Sequence, residues 1–211
     1  MKSSLRVAIL AVAALLGSAV AAVSAPESGD ALVQRMAQAN PDLQSYTASL
    51  HVVIAMRSMP YLSPALEGNY YFERPDKEAI VFQTVPILAQ QFQKVYPKLD
   101  PPAVWPQRYA ISVIARSESR STTTLRLVPK RPGRVAHLDV VVDDATALPS
   151  AYTWSYVDGG SVSFEQSYTV VEGNYLVKTQ TGRVNLASYD ADVSSTFSDF
   201  KVNVPIPDNV F

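Results

Sequence analysis

The feature of this sequence that most constrains its fold is a side-chain alternation with a period of two. Apolar residues occupy every second position from Tyr46 to Met56, and mostly polar or small residues from Thr47 to Arg57 lie between them. This period is typical of a β-strand with one buried face and one wet face. The segment therefore predicts a strand that belongs to a larger sheet.

The same alternation recurs along the chain. Further strands are predicted around Leu66, Tyr70 and Phe72; Ile80 and Phe82; Leu125 and Leu127; Leu138, Val140 and Val142; Tyr152, Trp154 and Tyr156; and Val162, Phe164, Tyr168 and Val170. The tripeptides Asp158-Gly159-Gly160 and Glu172-Gly173-Asn174 have the chemistry of tight hairpin turns. These signals predict a mainly β fold with a few helices (α+β), in which one antiparallel meander is strongly curved or nearly closed.

Two segments depart from the period of two. A short helix is predicted after Asp30, its expected N-cap, and ends near Asn40-Pro41. The second segment runs from Pro86 to Arg108 and places Leu88, Phe92 and Val95 on one face of an amphipathic helix, before a Pro-rich loop around Trp105. Such a helix covers the concave side of a curved sheet either as a fixed plug or as a movable lid, and the pattern favours the plug.

The N-terminus has the order of a secretory signal peptide. Lys2 and Arg6 precede the apolar run from Val7 to Leu16, and small residues follow as far as Ala25. The apolar run is shorter than the roughly 20 residues that a membrane-spanning helix needs. We therefore expect residues 1–25 to be a cleaved signal peptide and residues 26–211 to form a single domain of an exported protein.

Composition excludes several classes of chemistry. The chain has no cysteine, so disulfides and thiolate metal sites are excluded, and its net charge of −1 gives no reason to expect a nucleic-acid partner. Its two histidines, His51 and His137, are isolated and predicted at the surface, and neither a catalytic serine motif nor a nucleotide-binding glycine motif is present. We expect no catalytic residues, no metal and no cofactor. The default function of such an aromatic-rich, curved sheet is to hold an apolar ligand.

Several segments resemble, in order and spacing, the LolA/LolB-like superfamily of periplasmic lipoprotein carriers. The stretch from Gly68 to Pro75 is similar to the family's strand-and-turn motif that ends in Arg-Pro. The stretch from Leu125 to Lys130 is similar to its L-x-L-x-P-K strand. The match extends from about Asp30 to Tyr168, whereas the segment from Pro86 to Arg108 stands where the family has a short hairpin.

The resemblance implies an unclosed barrel of about eleven antiparallel strands with helices at its mouth. It also implies a soluble periplasmic carrier that binds the acyl chains of a lipid or lipoprotein and shuttles them toward the outer membrane. Membrane-bound donor and acceptor proteins would be its partners, and we expect a monomer. Arg74 matches the family arginine that hydrogen-bonds the lid helices and keeps the empty cavity shut.

The alternation identifies the residues expected to line an apolar cavity. They are Val52, Ile54, Tyr70, Phe72, Phe82, Trp154 and Phe164 on the strands, with Leu88, Phe92 and Val95 on the covering helix. The alternative is a non-catalytic periplasmic sensor or regulatory module that docks a protein partner. That alternative predicts a filled core and an exposed apolar patch around Trp105 and Tyr61.

Overall fold

The computed structural model describes residues 27–57, 61, 63–83, 99–187 and 189–211. The predicted signal peptide lies outside the described residues. So do residues 84–98, which carry Leu88, Phe92 and Val95. The account below concerns the described part of the chain.

Ten antiparallel strands form one curved, unclosed sheet. They are β1 Ser45–Met56, β2 Ala65–Glu73, β3 Lys77–Phe82, β4 Tyr109–Ser117, β5 Thr122–Pro129, β6 Val135–Asp143, β7 Pro149–Tyr156, β8 Ser161–Val171, β9 Asn174–Leu186 and β10 Tyr189–Val202. Their order across the sheet is β3-β2-β1-β10-β9-β8-β7-β6-β5-β4, so the first and last strands in sequence pair with each other as its third and fourth strands. The predicted mainly β fold class is confirmed.

The two predicted hairpins join neighbouring strands of this sheet. Glu172 and Gly173 both have positive φ, 49° and 79°, as a two-residue type I′ turn requires. Two details differ from expectation. Strand β4, from Tyr109 to Ser117, was not predicted, because it follows directly on the Pro-rich loop and its residues are only partly buried. The sequence alternates Tyr175 and Val177 at the start of β9, which predicts that these side chains face the core, but Leu176 between them is buried and Tyr175 is exposed.

One face of the sheet, here called the inner face, carries most of the core. Directly opposed residues of antiparallel strands point to the same face. One row across the inner face therefore contains Ile54, Val193, Gly182, Phe164, Tyr152, Val140 and Leu125. Apart from Gly182, every member of this row is buried. The period-two pattern thus generates a continuous apolar surface that crosses seven strands.

Helix α1, Gly29–Ala37, packs on the inner face near β4 and β5. Its N-cap is Ser28, whose hydroxyl accepts a hydrogen bond from the amide of Ala31 at 3.2 Å. The predicted N-cap, Asp30, lies instead in the first turn, where a carboxylate interacts favourably with the helix dipole. Leu32, Val33 and Met36 of the helix are buried in the core. No helix in the described part of the chain is long and apolar enough to cross a bilayer.

The Pro-rich segment ends in a 3₁₀ turn, Pro102–Val104, and a short helix α2, Trp105–Arg108. Trp105 is fully buried, and its indole N–H donates to the carbonyl of Asp100 at 2.6 Å. Lys130 in turn donates to the carbonyl of Pro106 at 2.7 Å. The proposed exposed patch around Trp105 and Tyr61 is therefore wrong for Trp105, since this indole is part of the core, although Tyr61 is 86% exposed.

Candidate functional site

The strand residues predicted to line a cavity all lie on the inner face. Val52, Ile54, Tyr70, Trp154 and Phe164 belong to the buried core. Phe72 and Phe82 are half-buried and pack against it from β2 and β3. Their role in binding a ligand stays a prediction, and so does that of Leu88, Phe92 and Val95.

A first aromatic cluster forms where β1, β2 and β10 meet. Tyr46 stacks on Tyr70 with ring centroids 5.2 Å apart and lies 5.5 Å from Phe72, and Tyr70 meets Phe197 edge to face at 5.6 Å. The Tyr70 hydroxyl is hydrogen-bonded to Tyr46 and to the carboxylate of Glu78. Burial, the largest cause, raises the pKa of both tyrosines well above the usual value for a phenol, so both remain neutral at physiological pH.

A second aromatic cluster lies on β7 and β8. Tyr152 stacks on Trp154 at 5.6 Å, and Trp154 meets Phe164 edge to face at 6.2 Å. Because aromatic rings bury large apolar areas, the two clusters supply much of the apolar surface of the inner face. They lie on opposite sides of β9, which carries the small residue Gly182 between them.

Two glycines allow phenylalanine rings to lie flat against neighbouring strands. Gly68 pairs with Phe82, and a β-carbon at Gly68 would lie 2.8 Å from Cδ1 of that ring. Gly182 pairs with Phe164 in the same way, and the corresponding distance is 2.4 Å. Such close approach is available only to glycine, so the two rings and the two glycines form matched units of the inner face.

Arg74 sits at a junction that holds the end of α1 against the sheet. Its guanidinium donates to the carbonyl of Asn40, and its backbone N–H donates to the carbonyl of Gln44 at 2.8 Å. The side chain of Asn40 exchanges two hydrogen bonds with the backbone of Tyr175, at 2.8 and 2.9 Å. The guanidinium thus contacts the segment that follows α1 and not the helix itself, and the role of Arg74 as a latch that bonds lid helices stays a prediction.

A third anchor of this segment was not foreseen from the sequence. Asn203, with φ of 53°, accepts hydrogen bonds from the amides of Gln44 and Ser45 at 2.8 and 3.4 Å. Its amide group also donates to the carbonyl of Asp42 at 3.2 Å. Residues 40–44 are therefore held by β2, β9 and the end of β10 together, and we call this arrangement the α1–β1 junction.

The two histidines of the sheet each lie beside a carboxylate. His51 is exposed and lies 2.5 Å from Glu67, and His137 is half-buried with its ring nitrogen 3.8 Å from Asp139. Asp143 caps a turn by accepting hydrogen bonds from Ala145 and Thr146, and the bonds from Thr146 are the main cause that lowers its pKa. Within the described residues, no group of three or more acidic, histidine or cysteine side chains could hold a metal ion.

Comparison with solved structures identifies the class of fold. A putative outer membrane lipoprotein-sorting protein domain from Vibrio parahaemolyticus superposes with a TM-score of 0.66 at 10% identity, covering 86% of this chain and 94% of its own. A LolA superfamily protein from Nitrosomonas europaea superposes with a TM-score of 0.63 at 10% identity, covering 88% of this chain and 98% of its own. A DUF1329 family protein from Desulfovibrio piger superposes with a TM-score of 0.64 at 11% identity, covering 85% of this chain and 94% of its own.

The chain therefore has the fold of the LolA-like lipoprotein-sorting domains, in a strongly diverged form, as the sequence motifs predicted. No family model matches the sequence, and no curated protein matches it significantly. At such low identity the structural likeness shows the fold alone. Two of the three neighbours are named for lipoprotein sorting or for the LolA superfamily, and none of the three is named as an enzyme.

Proposed function

We propose that this protein is a soluble periplasmic carrier that binds the acyl chains of a lipid or lipoprotein on the inner face of its sheet and transports them toward the outer membrane. The observation that carries the proposal is the continuous apolar inner face with its two aromatic clusters. Transferring an acyl chain from water to such a surface is worth about 0.8 kcal/mol per CH₂. Binding of this kind needs no metal or cofactor.

Two further features support the proposal. The first 25 residues have the order of a signal peptide, which would export the remaining chain as a single domain to the periplasm. The α1–β1 junction, with Arg74 as its cation, would hold α1 over the inner face until a ligand enters. Five guanidinium N–H donors suit a residue that must bond several carbonyls of one segment. Residues 84–98, with Leu88, Phe92 and Val95, would complete the cover over the bound chain.

The direct test is native mass spectrometry of the mature protein, purified from a bacterial periplasm without detergent. The proposal predicts an added mass that extracts into organic solvent as a lipid, or that forms on incubation with fatty acid, phospholipid or acylated peptide. A protein that stays at its apo mass with all three would contradict the carrier function.

A pair of variants tests whether the inner face is the binding surface. Phe82→Glu places a carboxylate on the inner face at the half-buried end of β3, and we expect it to weaken acyl-chain binding about tenfold or more. Val81→Glu is the matched control, because Val81 is 45% exposed on the opposite face of the same strand. The pair Phe72→Glu and Tyr71→Glu repeats the test on β2. Equal binding by both members of each pair would exclude the inner face.

A further inference from the structure

A cavity of about 300 Å³ lies at the end of the sheet where β7 begins, outside the apolar region described above. Its lining residues include one carboxylate, one amide and five hydroxyls, contributed by Asp143, Thr146, Ser150, Gln166, Tyr168, Thr169 and Tyr175. Leu148 and Val170 complete the lining. Most of the surface exposed inside this cavity is apolar, and the few polar groups in its wall are of the kind that orient a ligand in such a pocket.

Pro149 explains why the sheet opens at this point. The pairing of β7 with β8 ends at Ala151 and Glu165, whereas β7 continues beside β6 as far as Pro149. Proline has no N–H to donate to a neighbouring strand. Side chains of β8 bond to the Pro149 carbonyl instead, Gln166 through its amide at 2.9 Å and Tyr168 through its hydroxyl at 2.7 Å. The two strands separate here, and the cavity lies beside the separated part of β8.

A polar band connects the cavity with the inner face. The Gln166 carbonyl oxygen accepts a hydrogen bond from Gln180 at 2.9 Å. Gln180 lies opposite Ser195, which is buried and lies opposite Val52 of the predicted cavity lining. Gln166 and Gln180 are half-buried, so three neighbouring polar side chains interrupt an otherwise apolar surface at this point. Because Gln166 belongs both to this band and to the cavity, the polar row leads from the acyl-chain surface into the cavity.

The charges at the cavity indicate which polar groups it accepts. No lysine or arginine is among its lining residues, all of which lie in the described part of the chain. Asp143 is held in its ionised form, since its Oδ1 accepts hydrogen bonds from the Thr146 amide and hydroxyl, both at 2.8 Å. A second anion such as a phosphate or a carboxylate would be repelled by this carboxylate and would find no cation. Uncharged hydroxyls can donate to Asp143 and to the oxygen of Ser150, whose own hydroxyl donates to the Val141 carbonyl, and they can exchange hydrogen bonds with Thr169.

We propose that this cavity receives an uncharged, hydroxyl-bearing headgroup of a ligand whose acyl or alkyl chain lies on the inner face. The inference rests on the proposed carrier function and adds the class of ligand. Ligands with a polyol headgroup would bind in preference to ligands of the same chain length with a phosphate.

The test compares decyl glucoside with decyl phosphate, which share one alkyl chain, by calorimetric titration below their micelle-forming concentrations. We expect the glucoside to bind about tenfold more tightly. Gln166→Leu should remove this preference by weakening glucoside binding about tenfold, with little change for decyl phosphate. Gln107→Leu, the same change on the exposed helix α2, should leave both affinities unchanged.

The outcomes separate the two proposals. Equal affinity for the two probes overturns the headgroup site and leaves the carrier function intact, whereas failure of both probes to bind overturns both. If Gln166→Leu does not fold, Ser150→Ala replaces it, since it removes a lining hydroxyl and only one hydrogen bond of 3.3 Å to Val141. A folded lining variant that keeps the full preference for glucoside also overturns the site.

Discussion

Gly182 lies directly opposite Phe164 in the β8–β9 ladder, and the ring of Phe164 covers the glycine's backbone. A β-carbon at Gly182 would lie 2.4 Å from Cδ1 of the ring and 2.3 Å from the backbone oxygen of Ser163. The ring could not take this position beside any other residue type. The position of Phe164 in the second aromatic cluster therefore depends on a residue in the neighbouring strand.

The first prediction is that Gly182→Ala destabilises the protein by about 1–3 kcal/mol, the usual cost of overpacking a core. Since one of the clashing atoms belongs to the backbone of β8, the strands must separate locally to admit the methyl group. Urea denaturation measures the change. Gly133→Ala is the control, because a β-carbon there would meet no atom within 4 Å. Equal stability of the two variants would contradict the packing described for Phe164.

The second prediction concerns Arg74 at the α1–β1 junction. Arg74→Leu removes the guanidinium bond to Asn40 and should weaken the junction by about 1–2 kcal/mol, as expected for a half-buried charged donor. Amide hydrogen exchange in residues 40–44 should become about tenfold faster. If Arg74 acts as a latch, the same variant should retain bound ligand longer, because the closed state competes less with the open one.

Arg131→Leu is the control for this variant, since Arg131 is an exposed residue of the β5–β6 connection. Unchanged hydrogen exchange in Arg74→Leu would mean that the arginine does not hold the junction. Faster exchange with unchanged ligand release would leave it as a structural residue without a latch function.

The third prediction concerns stability at alkaline pH. Burial raises the pKa of Tyr46 and Tyr70 in the folded protein, while in the unfolded chain a tyrosine ionises near pH 10. Both states bind the phenolic protons below about pH 10, and above it the unfolded state releases them first. The free energy of unfolding should therefore fall as pH rises above about 10.

Tyr70→Phe should make this fall less steep, because one of the buried phenols with a raised pKa is absent. Tyr61→Phe, a change at an exposed ring, is the control. Denaturation at a series of pH values from neutral to strongly alkaline measures both slopes. Identical slopes for wild type and Tyr70→Phe would show that this phenol does not carry the alkaline instability.

The sequence predicted those parts of the molecule that depend on local periodicity. Strands β1 and β2 were predictable because their buried side chains recur at every second position. The start of β9 was not, because Tyr175 and Val177 continue the apolar alternation of the sequence whereas the structure buries Leu176 between them. Trp105 looked like a surface residue among prolines, and only its bond to the Asp100 carbonyl and its packing show that it is core.

The residues of the candidate sites also fall into two groups, those that the local sequence predicts and those that it does not. The apolar lining of the inner face could be predicted from the alternation of side chains. Arg74 could be singled out because its segment resembles a family motif. Asn40 and Asn203 could not be identified in advance, since their partners Tyr175 and Gln44 are 135 and 159 residues distant in the chain. The polar cavity depends on Pro149 ending the β7–β8 pairing, which no single segment of sequence reveals.

The fourth prediction tests the central claim that an acyl chain lies on the inner face. The chain has two tryptophans, so Trp105→Phe leaves Trp154 of the second aromatic cluster as the sole indole. Circular dichroism would first establish that this variant is folded. Titration with an alkyl glucoside brominated along its chain should then quench the fluorescence of Trp154 strongly and saturably, because bromine quenches only on contact.

The unbrominated glucoside controls for changes in fluorescence that do not depend on contact with bromine, and calorimetry of the same samples measures binding independently. Saturable quenching at the affinity found by calorimetry would place the chain beside Trp154, as the account predicts. Binding without quenching of Trp154 would place the chain elsewhere and would contradict the inner face as the acyl-chain site.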